Sequence, residues 1–177
     1  MDIDNIEIAV FDLDGTLILQ DSLLEQTVAI IKNHKFKSLF LLPILLFKGR
    51  IHYKKIIFAI NEKFDKNVTA MKNIKANKKV LDCFNDCKSQ NLKVIIATAA
   101  YYKTAIKVLE KIKIIPDGLI ATKSNLNLKG KQKLAALSKI VMGKKWAYFG
   151  DSISDIPLFR ESNYSYLVKN GKIKELN

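Results

Sequence analysis

Short apolar runs alternate with helical segments along most of this chain, and that alternation limits the fold more than any other feature. Ile6 to Phe11 is rich in Ile and Val and ends at an Asp-Gly turn signal, which predicts a buried strand. Four more strand candidates follow: Leu92 to Thr98 (LKVIIAT), Gly118 to Thr122, Lys145 to Gly150 (KWAYFG) and Tyr164 to Val168. Between them, apolar residues recur at helical spacing. Leu24, Val28 and Ile31 mark a helix from about Asp21 to Lys35, with Asp21 or Ser22 able to cap it. Val80, Leu81, Phe84 and Cys87 mark another within 66–91, a third runs from Tyr102 to Lys111, and Leu134, Leu137 and Ile140 mark one within 130–141. Strands alternating with helices predict an α/β fold, a parallel sheet with helices on both faces. The polar tail after Val168 is expected to fray.

In such sheets ligands bind outside the carboxyl ends of the strands. The polar residues at those ends are Asp12, Asp14, Thr98 and Asp151. Residues two apart in extended chain project the same way, so Asp12 and Asp14 can face one site. Two carboxylates in one pocket repel unless a cation or a shared proton compensates. A further acidic pair, Asp151 and Asp155 in GDSISD, follows a later strand. Carboxylates converging with few histidines favour a hard, oxygen-loving ion such as Mg2+. Asp-Gly after a strand can also be a plain turn; its coincidence with the other acidic cluster makes it a site candidate.

A length of 177 residues suits one ordinary domain with a small insertion. The net charge of +13 fits partners such as phosphorylated substrates or anionic lipid, and equally a surface decorated with lysine. Nucleic-acid binding is not expected, because no recognition motif or basic-aromatic platform accompanies the charge. Cys83 and Cys87 have no histidine near them, so buried thiols are expected in place of a zinc site. The acidic N-terminus is not a secretory signal, and a cytoplasmic location is expected by default. The longest apolar run, Leu39 to Phe47, spans nine residues including Pro43, where a bilayer span needs about twenty.

With these pieces in place, the sequence resembles the haloacid dehalogenase superfamily over most of its length. The pieces are DLDGTL at 12–17, a strand ending at Thr98, a Lys near a helix start, and GDSISD at 150–155. The resemblance implies a Rossmann-like core of residues 1–17 and 76–177, with a small helical C1-type cap at 18–75. It implies that Asp12 attacks phosphorus to form an aspartyl-phosphate and that Asp14 serves as general acid and base. It places Mg2+ on the carboxylates of Asp12 and Asp151 and the carbonyl of Asp14, with Asp155 orienting the metal shell. Thr98 and backbone N–H groups near it, including that of Ala99, would hold phosphate oxygens. An acid at Asp14 favours phosphoryl transfer, since dehalogenase relatives lack it. Three lysines compete for the cationic role in LKGKQKLAAL. Relatives of phosphoserine phosphatase carry it directly before a Gly, which selects Lys129, with Lys131 in reserve and Lys133 read as a surface residue.

The expected cap contains FKSLFLLPILLFKGRIHYKK, an apolar block between basic flanks. It reads either as a helix buried against the core or as an element at a membrane interface, which would make the protein membrane-peripheral. His34 and His52, in or beside this region, read as surface or packing residues. The LFLLP stretch, the basic segment after it and NLKGxxKLAAL also resemble the phosphatase-like domain fused ahead of UbiA-type prenyltransferases. That resemblance implies a polyprenyl-linked or sugar phosphate as substrate. It also leaves open a non-catalytic partner of a membrane-bound prenyltransferase.

Overall fold

A computed structural model describes residues 6–33, 41–64, 72–123 and 126–176. The elements in chain order are β1 (Ile8–Phe11), α1 (Ser22–Asn33), α2 (Leu41–Phe64), α3 (Lys78–Ser89) and β2 (Lys93–Tyr101). They continue with α4 (Tyr102–Ile112), β3 (Gly118–Thr122), α5 (Lys131–Val141), β4 (Trp146–Gly150), α6 (Ile156–Glu161), β5 (Tyr164–Lys169) and β6 (Lys172–Glu175). The strands form one sheet in the order β3-β2-β1-β4-β5-β6. The first five are parallel and β6 is antiparallel at the edge.

β1 is central and buried on both faces, which is why it reads as a continuous apolar run. Its period-two geometry divides the core. Ala9 and Phe11 join Phe84, Val108 and Phe149 on the side of α3 and α4, while Ile8 and Val10 join Leu137, Val141 and Leu158 on the side of α5 and α6. The rings of Phe11, Phe149 and Tyr166 stack across three neighbouring strands, with centroids 4.4 and 4.6 Å apart. Cys83 and Cys87 are buried on α3 and form no disulfide, as their apolar setting implied.

The tail is ordered where fraying was expected. After β5 the chain turns at Asn170 and Gly171, both at positive φ (52° and 72°), and returns as β6. Asn-Gly favours this kind of tight hairpin because both positions tolerate φ > 0. The signal was present in the sequence, and the polarity of the residues around it hid it.

The helices α1 and α2 share a small core of their own, built from Ile30, Tyr53 and Ile57 with Leu23 and Ile60 packed against it. α2 is broken at Gly49, which has φ 74° and ψ 171°. The two ends of this insertion are stitched together. Leu19 N–H donates to the Lys75 carbonyl (3.0 Å), Asn77 N–H donates to the Leu17 carbonyl (2.9 Å), and Ile18 bridges Ala76. Of the apolar block Leu39 to Phe47, residues 39–40 and the side chains of 41–47 lie outside the described residues, as does His34. His52 is exposed.

Candidate active site

Strand register brings the acidic segments together. Phe11 pairs with Phe149 and Ile96, so all three strands reach the same rim, and Asp12 N–H donates to the Phe149 carbonyl at 2.8 Å. Asp12 therefore sits beside Gly150, one residue before Asp151. Carboxylate oxygens of Asp12, Asp151 and Asp155 lie within 4.8 Å of one another. Two glycines make this convergence feasible. Gly15 has φ 74°, and a Cβ there would stand 2.2 Å from Asp151 Oδ2. A Cβ at Gly150 would stand 2.8 Å from Asp155 Oδ2.

Beneath the carboxylates lies Lys133, 2% exposed. Its ammonium donates to Asp12 Oδ1 (2.9 Å), Asp155 Oδ1 (2.9 Å) and the Tyr148 hydroxyl (3.0 Å), which uses all three donors of the group. This corrects the reading of Lys133 as a surface residue. The cause is helical phase: Lys133, Leu137 and Val141 are four apart and form the buried stripe of α5. Lys129 precedes the helix and is exposed; it lines the cavity but makes no ion pair with Asp12, and Lys131 is exposed as well. Leu134 and Ile140, which guided the sequence reading, flank the true stripe and are only half-buried.

Asp14 is held differently. Its two oxygens accept from the N–H (3.0 Å) and hydroxyl (3.2 Å) of Ser22, the first residue of α1. Asp21 is the cap of that helix, accepting from Leu23 and Leu24 N–H at 2.9 Å each. The Asp14 carboxylate is thus engaged by Ser22 and is not one of the trio that could hold an ion. Burial pushes Asp14 up to about 7, with Asp21 and Asp12 adding repulsion and the Ser22 bonds pulling back. Burial also pushes Asp12 up to about 6, the repulsion of Asp155 and Asp151 adding to it against the pull of Lys133. For Lys133, burial works against the charge, but Asp12 and Asp155 outweigh it and raise the group.

Above the rim is a cavity of about 380 Å³ lined by Asp12, Asp14, Thr98, Ala99, Lys129 and Asp151, among others. The Thr98 hydroxyl oxygen accepts from Ala100 N–H (3.0 Å), so its proton stays available. The far wall comes from the insertion, whose Gln26, Arg50 and Lys54 also line the cavity. Lys54 is 7% exposed and donates to the Ala99 carbonyl and to Asn127 Oδ1 (2.6 Å), tying α2 to the core. Burial lowers it to about 8. Sequence reasoning missed Ser22, Lys54, Asn127 and Tyr148 as site residues, since the partner of each lies elsewhere in the chain.

The donor set fits a divalent cation. It is all oxygen, it converges, and Asp155 Oδ2 is buried with no hydrogen-bond partner.

A model of the haloacid dehalogenase-like hydrolase family matches residues 9–160. The uncharacterized protein y4nM of Sinorhizobium fredii (strain NBRC 101917 / NGR234) is 27% identical over 160 residues, which cover 90% of this chain. The match covers only 29% of that relative's length. Among solved structures, a protein of unknown function from Bordetella pertussis Tohama I superposes with a TM-score of 0.65 at 15% identity, covering 91% of this chain and 89% of that one. A phospho-aspartyl intermediate analogue of phosphoserine phosphatase superposes with a TM-score of 0.60 at 16% identity, covering 92% and 86%. The further resemblance to a domain fused to UbiA-type prenyltransferases is not sustained. The family model is that of haloacid dehalogenase-like hydrolases, phosphoserine phosphatase is among the structures that superpose, and no helix among the described residues is long and apolar enough to cross a membrane. The expectation of a prenyltransferase partner rested on that resemblance, and none of these matches supports it.

Proposed function

The chain belongs to the haloacid dehalogenase-like hydrolases, and from that footing we propose that it hydrolyses a small phosphomonoester through a phosphoryl group carried on Asp12. The fold and the aspartate cluster support phosphoric monoester hydrolase activity. One observation carries the reading: Asp12, Asp14 and the buried cation Lys133 converge on one cavity at the strand ends.

Lys133 fixes Asp12 Oδ1, which leaves Oδ2 to attack phosphorus. As the new phosphorus–oxygen bond forms, the bond to the leaving oxygen breaks. Asp14, held by Ser22 with a pKa near neutrality, donates the proton that oxygen needs. Asp14, now a carboxylate, takes a proton from water, whose oxygen attacks phosphorus and frees Asp12 and inorganic phosphate. The Thr98 hydroxyl and nearby N–H groups, including that of Ala99, would hold the phosphoryl oxygens, and Lys133 offsets their charge through Asp12. Mg2+ would sit on Asp12, Asp151 and the Asp14 carbonyl with Asp155 behind, and would supply charge neutralisation for an anion attacking an anion.

For the leaving group, a sugar phosphate or a similarly polar ester fits better than a polyprenyl-linked one. The described lining offers Leu19 and Leu23 as large aliphatic side chains, against Gln26, Arg50 and Lys54. Residues 18–75 serve in this reading as the cap that selects the substrate. A phosphatase panel with Mg2+ on the wild type and Asp12→Asn is the test. Turnover by the wild type and none by the variant is expected; activity surviving in the variant excludes the nucleophile.

A further inference from the structure

A second cavity, a groove of about 1030 Å³, lies on the other side of Gly15 and Asp151, between the neck of the insertion, the start of α3 and the β5–β6 hairpin. Its described lining holds four lysines, Lys75, Lys78, Lys79 and Lys169, and one acidic side chain, Asp151. None of the four lysines forms an ion pair among the described residues.

Two of them are in the wrong place for stability. Lys78 and Lys79 are the first residues of α3, whose first turn has no acidic residue, so both cations stand at the positive end of the helix dipole. The first N–H groups of a helix also lack intrahelical partners. Asn77, at the N-cap position, would ordinarily accept from one of them, yet its side chain makes no such bond. It is 3% exposed, it lines the groove, and its amide nitrogen has no hydrogen-bond partner. A buried donor without a partner, unused helix N–H groups and uncompensated lysines are all satisfied by one kind of ligand.

We infer that this groove is a binding site for a phosphate-type anion, held by Asn77, the N-terminus of α3 and the lysines around it. The site adjoins the phosphoryl pocket across Gly15, Leu19 and Asp151, but its anion-binding groups are different ones and do not depend on the proposed reaction. The groove is larger than one phosphate requires, so the anion can be free phosphate or a phosphate group of a longer ligand. Because the groove borders the neck at Leu19, Lys75 and Asn77, an occupant braces the joint between insertion and core.

The test is a 15N-edited NMR titration of the full chain at constant ionic strength, with inorganic phosphate in one arm and tripolyphosphate in the other. Saturable shifts of the backbone amides of Asn77, Lys78, Lys79 and Val80 are expected in at least one arm, and the arm that saturates at lower concentration identifies the source. The double variant Lys78→Ala/Lys79→Ala, both positions exposed, is expected to weaken binding roughly tenfold. It should leave phosphate shifts at Thr98 and Ala99 in place. Unmoved amides at 77–80 in both arms, or full affinity in the double variant, overturn the site.

Discussion

Two buried lysines face the same cavity from opposite walls, and they are held in opposite ways. Lys133, on α5 beneath the rim, gives its three donors to two carboxylates and a tyrosine, and its charge is reinforced. Lys54, in the insertion, holds a backbone carbonyl and an amide oxygen, both neutral, with one donor left over among the described residues, and burial weakens its charge. A saturated, locked cation suits a fixed electrostatic task common to every turnover. An under-satisfied one, on an element attached through a narrow neck, suits contact with a part of the substrate that differs from one relative to another. The contrast extends to the packing beneath. The rim rests on a sheet whose central strand is buried on both faces, whereas the insertion's own hydrophobic cluster is built on Ile30, Tyr53 and Ile57 among the described residues.

The difference in packing gives the largest expected effect. Phe149→Ala removes the middle ring of the three-strand stack and should cost about 3–5 kcal/mol of global stability. Ile57→Ala should instead loosen the insertion, seen as faster amide exchange in α1 and α2 with β1 and β4 still protected. Equal loss of protection throughout would show that the two regions unfold as one. Next comes the rim lysine. Lys133→Met should lower kcat by roughly 10²–10³-fold, the scale of losing one fixed electrostatic partner, while Lys129→Ala should change mainly KM. If Lys129→Ala carries the larger kcat loss, the assignment reverts to the sequence reading.

The smallest effect belongs to Lys54. Lys54→Met should raise KM by a few-fold, roughly 1 kcal/mol of uniform binding, with kcat little changed. It should also alter the pH dependence of stability. With its pKa near 8 in the folded chain and an ordinary value of 10.5 when unfolded, the unfolded state binds more protons between those limits, so this residue makes stability rise with pH there. The penalty is fully present below about 8, and the variant should lack that slope in denaturant titrations from pH 8 to 10.5.

How much of this was legible in the sequence follows from where each constraint acts. The strands, their order of appearance and the acidic residues at their ends are local patterns, and DLDGTL and GDSISD each hold a glycine that no other residue can replace without striking a carboxylate. Lys133 was read as a surface residue because three lysines stand within five residues and only helical phase separates them; its spacing from Leu137 and Val141 was the usable signal. Ser22 was visible as a capping candidate, but its role depends on where Asp14 points, which the sequence does not encode locally. Lys54 donates to both Ala99 and Asn127, which lie far from it in the chain. The Asn-Gly hairpin was overlooked because the residues around it are polar.

The most direct measurement is capture of the phosphoryl group itself. A rapid acid quench of the enzyme turning over a labelled phosphomonoester with Mg2+, followed by peptide mass mapping, should place one acyl-bound phosphoryl group on Asp12, and none after Asp12→Asn. Label on a different side chain, or steady turnover with no covalent label at any quench time, would contradict the account.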